Sequence, residues 1–299
     1  MRVLVTGGSG MLGQALLKTF AGCGEVIGVS RSGRYKTRVC DLSSEEEIKK
    51  LFLSGSFGLV IHTAAYSDVD GCERDPKLAH EANALSTKYL AQVCGREHIP
   101  FIYVSTDYVF DGRKSSPYKE SDRPCPINIY GMTKLEGEYH TKNHASVSAV
   151  ARTSWLFGAG NPSNFVNAII GRLYKEKVVN VLADQEDSPT YVNDLADALK
   201  KISEHLISLN KKEPGKKYHD IFQVCNAGRT TRYEMTQKIK EFLKLKTVEV
   251  ERLDKMPVEN RPALRPKFGA MSTLHYETFF ETKLRRWEDS LKEYIEGII

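Results

Sequence analysis

At 299 residues, 41% hydrophobic and 27% charged, the chain is long enough for one large α/β unit with an additional lobe, and apolar enough to fill its core. The formal charge of +5 is mild: it suits anionic small molecules such as nucleotides, and no basic tract of the kind that binds nucleic acid is present. No apolar stretch reaches membrane-spanning length and Met1 leads directly into a strand, so a cytoplasmic protein with no membrane or nucleic-acid partner is expected.

The first element, Arg2 to Thr6, is a buried-strand run that passes into Gly7-Gly8-Ser9-Gly10-Met11-Leu12-Gly13 and then a helical stretch from Gln14. Strand, glycine turn and helix in this order suit a phosphate-binding turn, a purely structural glycine turn being the alternative: Gly7 for the tight bend, Gly10 for approach of backbone amides to a pyrophosphate, Gly13 for close helix packing. The first gap between glycines is one residue longer than in the common dinucleotide fingerprint. A second strand, Glu25 to Val29, delivers Ser30 and Arg31 to where an adenosine ribose would lie. Neither is acidic, and both can accept a 2′-phosphate, so NADPH is expected, with NADH possible. Arg31 and Arg34 are otherwise solvated loop charges. Asp41, with Leu42 beside it, ends a third short strand near the adenine edge.

Leu59 to His62 is the next strand, ending in Thr63, Ala64 and Ala65, whose small side chains let the cofactor riboses approach. Pro76 to Cys94 reads as a helix carrying Asn83, and Phe101 to Thr106 as another strand. Thr106 falls at its carboxyl end, where open α/β sheets bind ligands; a turn or cap role is its alternative. Tyr130 and Lys134 follow, four residues apart on one helix face. A free phenol titrates near ~10, and an adjacent ammonium favours its ionised form. This pairing can make a proton donor of a tyrosine, an ordinary amphipathic helix being the alternative.

Strands and helices alternate to about residue 157, the pattern of a doubly wound, Rossmann-type parallel sheet. A loop over Gly158 to Pro162 then marks a boundary: residues 1–157 are expected to hold the dinucleotide, and 158–299 mainly a smaller α/β substrate lobe, with segments returning to the first domain. There Val178 to Ala183 reads as a strand, Asn193 as the cap of a helix from Asp194 to Leu206, Lys211 to Lys217 as a solvated loop, and Thr231 with Glu234 as a capping box. The six cysteines are scattered without metal-ligand spacing, which predicts reduced thiols and no metal.

Four runs together carry a family resemblance: Ser105-Thr106-Asp107-Tyr108-Val109-Phe110-Asp111-Gly112, Tyr130 to Glu138, Arg152-Thr153-Ser154-Trp155, and Asp184-Gln185 with Ser188-Pro189-Thr190. The chain resembles the extended short-chain dehydrogenase/reductases, and within them the dTDP-4-dehydrorhamnose reductase family. The resemblance implies that NADPH delivers hydride to C4 of a keto sugar nucleotide and Tyr130 protonates the C4 oxygen. Lys134 would hold the nicotinamide ribose and Thr106 would polarise the carbonyl. Ser105, Asp107 and Trp155 would contact the substrate, Trp155 being otherwise a core aromatic. Arg261 and Arg265 would offer cations to its diphosphate.

Two departures stand out. Phe268 replaces the asparagine of the family's Arg-Pro-x-Asn run, and Ala15 stands where some relatives carry a glutamate linked to magnesium. The resemblance further implies a homodimer. Two rival functions retain the same core: a reductase or epimerase of another nucleotide 4-keto sugar, and a non-catalytic NADP-binding subunit like the regulatory subunit of methionine adenosyltransferase.

Overall fold

A computed structural model of the chain describes residues 1–161, 164–254 and 261–298. Short runs buried on both faces become the strands of one parallel sheet, and amphipathic segments between them become the covering helices. In chain order these are β1 (Arg2–Thr6), α1 (Met11–Thr19), β2 (Glu25–Ser30), β3 (Arg38–Val39), α2 (Glu45–Leu53) and β4 (Leu59–His62). Then come α3 (Val69–Arg74), α4 (Pro76–His80), α5 (Ser86–Arg96), β5 (Phe101–Thr106), α6 (Ile129–His144) and β6 (Val147–Thr153).

The later part contains β7 (Leu156–Phe157), α7 (Phe165–Lys175), β8 (Val178–Leu182), β9 (Glu186–Asp187), β10 (Thr190–Tyr191) and α8 (Val192–Lys212). It closes with β11 (Tyr218–Gln223), β12 (Thr230–Thr231), α9 (Arg232–Phe242), β13 (Glu249–Leu253), α10 (Leu274–Phe279) and α11 (Trp287–Glu296). Seven strands pair in the order β11-β6-β5-β4-β1-β2-β3, every pair parallel. The expected Rossmann-type sheet is therefore present. β11 lies beyond residue 157 and still pairs with β6 through Tyr218 to Gln223, so the later chain contributes an edge strand to the main sheet. Three two-stranded pairs, β10 with β7, β12 with β9 and β13 with β8, build the rest.

The strand order turns back between β1 and β4. Such a reversal opens a crevice at the carboxyl ends of the strands, because the connecting helices leave to opposite faces there. One apolar cluster, with Val3, Val5, Leu16, Ile61, Ala149, Leu195 and Leu199, fills one side of the sheet. A second, with Leu4, Ile48, Val60, Leu90, Phe101 and Tyr103, fills the other.

Several local expectations give way to tertiary structure. The helix expected from Pro76 to Cys94 is broken into α4, a wide π-type turn over Glu81–Leu85, and α5. Asn83 sits in that wide turn and clamps the loop after β4: its Oδ1 accepts from Tyr66 N at 2.7 Å and its Nδ2 donates to Tyr66 O and Thr133 Oγ1, both at 3.1 Å. Asn193 is not a cap. The helix starts at Val192 with Tyr191 preceding it, and Asn193 donates instead to the Tyr191 hydroxyl at 2.8 Å. That helix continues to Lys212, into the stretch expected as a loop, because Leu195, Leu199, Ile202 and Leu206 bury one stripe along it. The third strand ends at Val39 rather than Asp41. The Thr231–Glu234 capping box forms as expected. Pro162, from the expected boundary loop, lies outside the described residues.

Beneath the carboxyl edge lies a buried ion pair. Arg152 of β6 donates through Nε to Glu138 Oε1 at 2.9 Å and through Nη2 to Oε2 at 2.7 Å, and Ser105 Oγ of β5 donates to the same Oε1 at 2.6 Å. The carboxylate belongs to α6, so one side chain fastens that helix to two strands. Removing one partner of a buried pair strands the other charge, at a cost of about 3–5 kcal/mol, whereas an apolar replacement of both is far milder. Glu138→Ala is thus expected to lose about 3–5 kcal/mol in denaturant unfolding, and the Glu138→Leu/Arg152→Met double variant clearly less. Equal losses in the two would remove this pair as the fastening.

Candidate active site

A cavity of about 1480 Å³ runs along the carboxyl edge of the sheet, from Ser30 and Arg31 at one end to Trp155, Phe165 and Arg232 at the other. The glycine turn forms its floor. Gly7 has φ +65°, and a Cβ there would come within 2.8 Å of Ala64 N. At Gly13 a Cβ would meet Gly7 O at 2.1 Å, so helix α1 can dock on the turn only without a side chain. Gly10 N donates to Gly7 O at 2.8 Å. The start of α1 carries no acidic residue in its first turn, leaving its amide dipole unopposed.

The loops after β2 and β4 form the neighbouring wall. Ser30 Oγ bonds Thr37 Oγ1 at 2.7 Å and accepts from Gly33 N at 3.1 Å, which shapes the turn that presents exposed Arg31. Asp41 lines the cavity with Leu42, its carboxylate held ionised below the usual range by bonds from Ser43 N and Oγ at 3.0 and 2.7 Å. Thr63, Ala64 and Ala65 also face the cavity. Thr63 Oγ1 donates to Thr6 O at 2.7 Å and Ala64 N to Thr6 Oγ1 at 3.2 Å. Buried His62 stands behind them between Thr6 Oγ1 at 2.7 Å and Thr87 Oγ1 at 3.1 Å, and burial pushes its pKa down to about 3, so it is a neutral structural ring.

Tyr130 and Lys134 project from the first turns of α6 into this cavity, whose amino end is capped by Asn128 Oδ1 accepting from Gly131 N at 2.8 Å. Thr106, at the end of β5, lines the cavity with Tyr130, and its Oγ1 donates to Asp107 Oδ1 at 3.0 Å and accepts from Tyr108 N at 3.2 Å. The Tyr108 ring packs edge-on against that of Tyr130, 5.7 Å between centroids. Lys134 is buried: its Nζ donates to Val104 O at 2.7 Å and lies 4.2 Å from the Tyr103 ring centroid.

The electrostatics differ from the simple expectation that the ammonium lowers the phenol. Burial drives the Tyr130 phenol above its ordinary value, the Asp107 carboxyl adds to this, and the Thr106 hydroxyl opposes it. The same burial lowers Lys134 to about 7, with Glu138 pulling the other way. The phenol therefore stays protonated, the state a proton donor requires, and the lysine titrates near neutrality.

Asp107 faces another carboxyl that sequence reasoning missed, Asp187 of β9. Burial raises Asp187 to about 6, and burial together with the Asp187 charge holds Asp107 well above the carboxylate range. Asp107 Oδ2 is buried with no donor, while Asp187 Oδ1 accepts from Ser188 N at 2.7 Å. A proton held between the two carboxyls satisfies the orphan oxygen. Spacing offers no signal for this pair, since the residues are 80 positions apart in sequence.

The cations expected to meet a diphosphate are already paired. Arg265 grips Asp70 with two bonds of 2.6 Å, and Arg261 reaches Asp184 at 3.2 Å and Gln185 at 3.1 Å. Ser105 points down to Glu138, as described above, and Trp155 lines the cavity with backbone φ +39°. No group of three or more metal-ligating side chains occurs among the described residues, and no described helix is long and apolar enough to cross a membrane. All six cysteines are free, four of them buried.

The sequence matches the profile of the RmlD substrate binding domain over residues 1–298. A dTDP-4-dehydrorhamnose reductase of Mycolicibacterium smegmatis is 31% identical over 301 residues, spanning 100% of this chain and 86% of that protein. A probable dTDP-4,6-dihydroxy-2-methyloxan-3-one 4-ketoreductase of Streptomyces antibioticus is also 31% identical, over 100% of this chain and 96% of its own. Among solved structures, a dTDP-4-dehydrorhamnose reductase from Bacillus anthracis in complex with NADP superposes with a TM-score of 0.87 at 27% identity, covering 99% of each chain.

The carboxyl pair makes stability depend on pH in a defined direction. A carboxyl with a raised folded pKa binds its proton more tightly when folded, so its contribution is full below the ordinary value of 3.8 and is lost as pH rises through about 6. Melting temperature measured from pH 4 to 8 is expected to fall across this window, and the fall to flatten in Asp187→Asn. A slope unaffected by that change would show that the pair does not hold the proton.

Proposed function

The chain belongs to the RmlD substrate binding domain family, and from that membership we propose that it reduces dTDP-4-dehydro-β-L-rhamnose to dTDP-L-rhamnose with NADPH. Its curated relatives are named as reductases, and one related structure binds NADP. The observation that carries the reading is the convergence of Thr106, Tyr130 and Lys134 on one cavity of about 1480 Å³ at the carboxyl edge of the sheet. A single small-ligand site occupies roughly 300–1,000 Å³, so the space suits a dinucleotide together with a sugar nucleotide.

The residues present fit such a cofactor. Met11 and Leu12 offer amides to its pyrophosphate, Gly10, whose own N–H is held by Gly7 O, lets the backbone come close, Ser30 and Arg31 flank the adenosine ribose, Asp41 and Leu42 border the adenine, and Thr63, Ala64 and Ala65 leave room for the riboses. When bound, the reduced nicotinamide supplies hydride to C4 of the sugar. Thr106 donates to the C4 oxygen and stabilises its growing charge, while Tyr130 delivers the proton. Lys134 changes charge near pH 7 in the surroundings described here; the ribose hydroxyls and phosphates of a cofactor favour its charged form, fixing both cofactor and phenol. Residues 1–157 are assigned mainly to the cofactor and 158–299 mainly to the sugar nucleotide, with Ser105 and Asp107 backing the sugar site and Trp155 walling it. A cytoplasmic homodimer completes the reading, checked by light scattering.

Identity to the Streptomyces antibioticus ketoreductase equals that to the rhamnose enzyme, which supports a second reading, reduction of another dTDP-linked 4-keto sugar. The decisive measurement is loss of absorbance at the reduced nicotinamide band with a panel of 4-keto sugar nucleotides. Turnover of the rhamnose precursor is expected; turnover of a different sugar alone selects the second reading, and tight NADPH binding without reduction of any selects the regulatory-subunit alternative. Tyr130→Phe is expected to retain NADPH affinity and lose about 10²-fold or more in chemical rate. An undiminished rate takes Tyr130 out of the proton-donor role. Arg31→Asp is expected to shift preference from NADPH toward NADH, read from the ratio of kcat/KM for the two.

A further inference from the structure

We propose that Arg232 is the cation that receives the diphosphate of the substrate in this protein. Arg232 opens helix α9, where Thr231 N donates to Glu234 Oε2 at 2.9 Å and Glu234 N to Thr231 Oγ1 at 3.1 Å, a capping box that fixes the backbone under it. Its guanidinium carbon lies 4.8 Å from the centroid of the Trp155 ring and 4.6 Å from that of Phe165, and all three side chains line the cavity that holds Tyr130 and Thr106.

The neighbouring arginines are neutralised and this one is not. Arg229 pairs with Glu186 at 2.8 Å, Arg261 with Asp184 and Arg265 with Asp70. Among the described residues no carboxylate comes within ion-pairing distance of Arg232, and burial lowers its pKa from the ordinary arginine value. An arginine does not discharge in a protein, so an enclosed guanidinium without a counter-ion carries an unmet electrostatic demand. Aromatic contact answers it only in part. The rings meet the charge but accept none of its N–H bonds, and the planar fork of donors is left able to take two phosphate oxygens at once. A neutral sugar hydroxyl would satisfy a donor but not the charge. The cofactor pyrophosphate has its own amides at Met11 and Leu12, which leaves the diphosphate of the sugar nucleotide as the matching anion.

This inference rests on the proposed reading of the substrate as a nucleotide sugar, and binding measured without turnover separates the two. Wild type, Arg232→Gln and Arg232→Lys, each saturated with NADP, are titrated calorimetrically with dTDP, UDP and GDP, and NADPH affinity is measured by fluorescence. In Arg232→Gln the dissociation constant of whichever nucleoside diphosphate binds wild type is expected to rise at least about tenfold, with partial recovery in Arg232→Lys. NADPH affinity is expected to stay unchanged, and a single cooperative melting transition shows that the variant folds. Unchanged diphosphate affinity overturns the assignment, as does an equal loss of NADPH affinity, which would place Arg232 on the cofactor. A wild type that binds none of the three sinks the nucleotide-sugar reading and this assignment together.

Discussion

The contact between Glu138 and Arg152 governs the geometry of the whole carboxyl edge. Glu138 sits eight residues beyond Tyr130 and four beyond Lys134 on the same helix, and its two oxygens are held by Arg152 on β6 and Ser105 on β5. Ser105 immediately precedes Thr106. A shift of the helix along its axis would break these bonds in an apolar setting, where the Arg152 guanidinium rests 5.1 Å from the Phe110 ring centroid. The placing of Thr106 and Tyr130 in one cavity is therefore maintained by a charge pair that does not line it.

Burial, more than any single neighbour, sets the protonation of the site. It raises Tyr130, lowers Lys134 to about 7 and keeps His62 neutral, so three titratable groups near the proposed reaction centre are uncharged or close to it. Such a low-polarity setting strengthens whatever charge a ligand brings. The Asp107 and Asp187 pair fits the same pattern: two carboxyls enclosed together hold their proton well above the usual carboxylate range.

Local signals made part of this legible. The glycine turn, Thr106 at a strand end and the Tyr130/Lys134 spacing are encoded within a few residues, and the alternation of buried strands with amphipathic helices announced the parallel sheet. What escaped sequence reading depends on residues far apart. Arg265 meets Asp70 across 195 positions, so its charge is unavailable for reasons no local pattern contains. Arg232 meets Trp155 and Phe165 only because α9 folds back over α7, and in sequence it looks like any basic residue in the first turn of a helix. The wide turn at Asn83 is likewise set by its bonds to Tyr66 and Thr133, and the cap at Tyr191 by the register of β10 on β7.

These constraints meet at Trp155. It is a bulky non-glycine residue with positive φ, and its indole Nε1 is buried without an acceptor. Each condition costs free energy of order 1–3 kcal/mol and persists only when the surroundings over-determine it. Those surroundings are identifiable. Thr190 N bonds Trp155 O at 3.2 Å, Ser154 Oγ bonds Ser188 O at 2.5 Å, and Arg232 covers the ring itself. The indole is thus held by bonds on its backbone neighbours and by a cation on its face, an arrangement that gives the far wall of the cavity a fixed aromatic surface opposite the Tyr130 and Thr106 hydroxyls. A strained backbone, an orphaned donor and an unpaired guanidinium thus converge on that one wall, where the proposed substrate would lie.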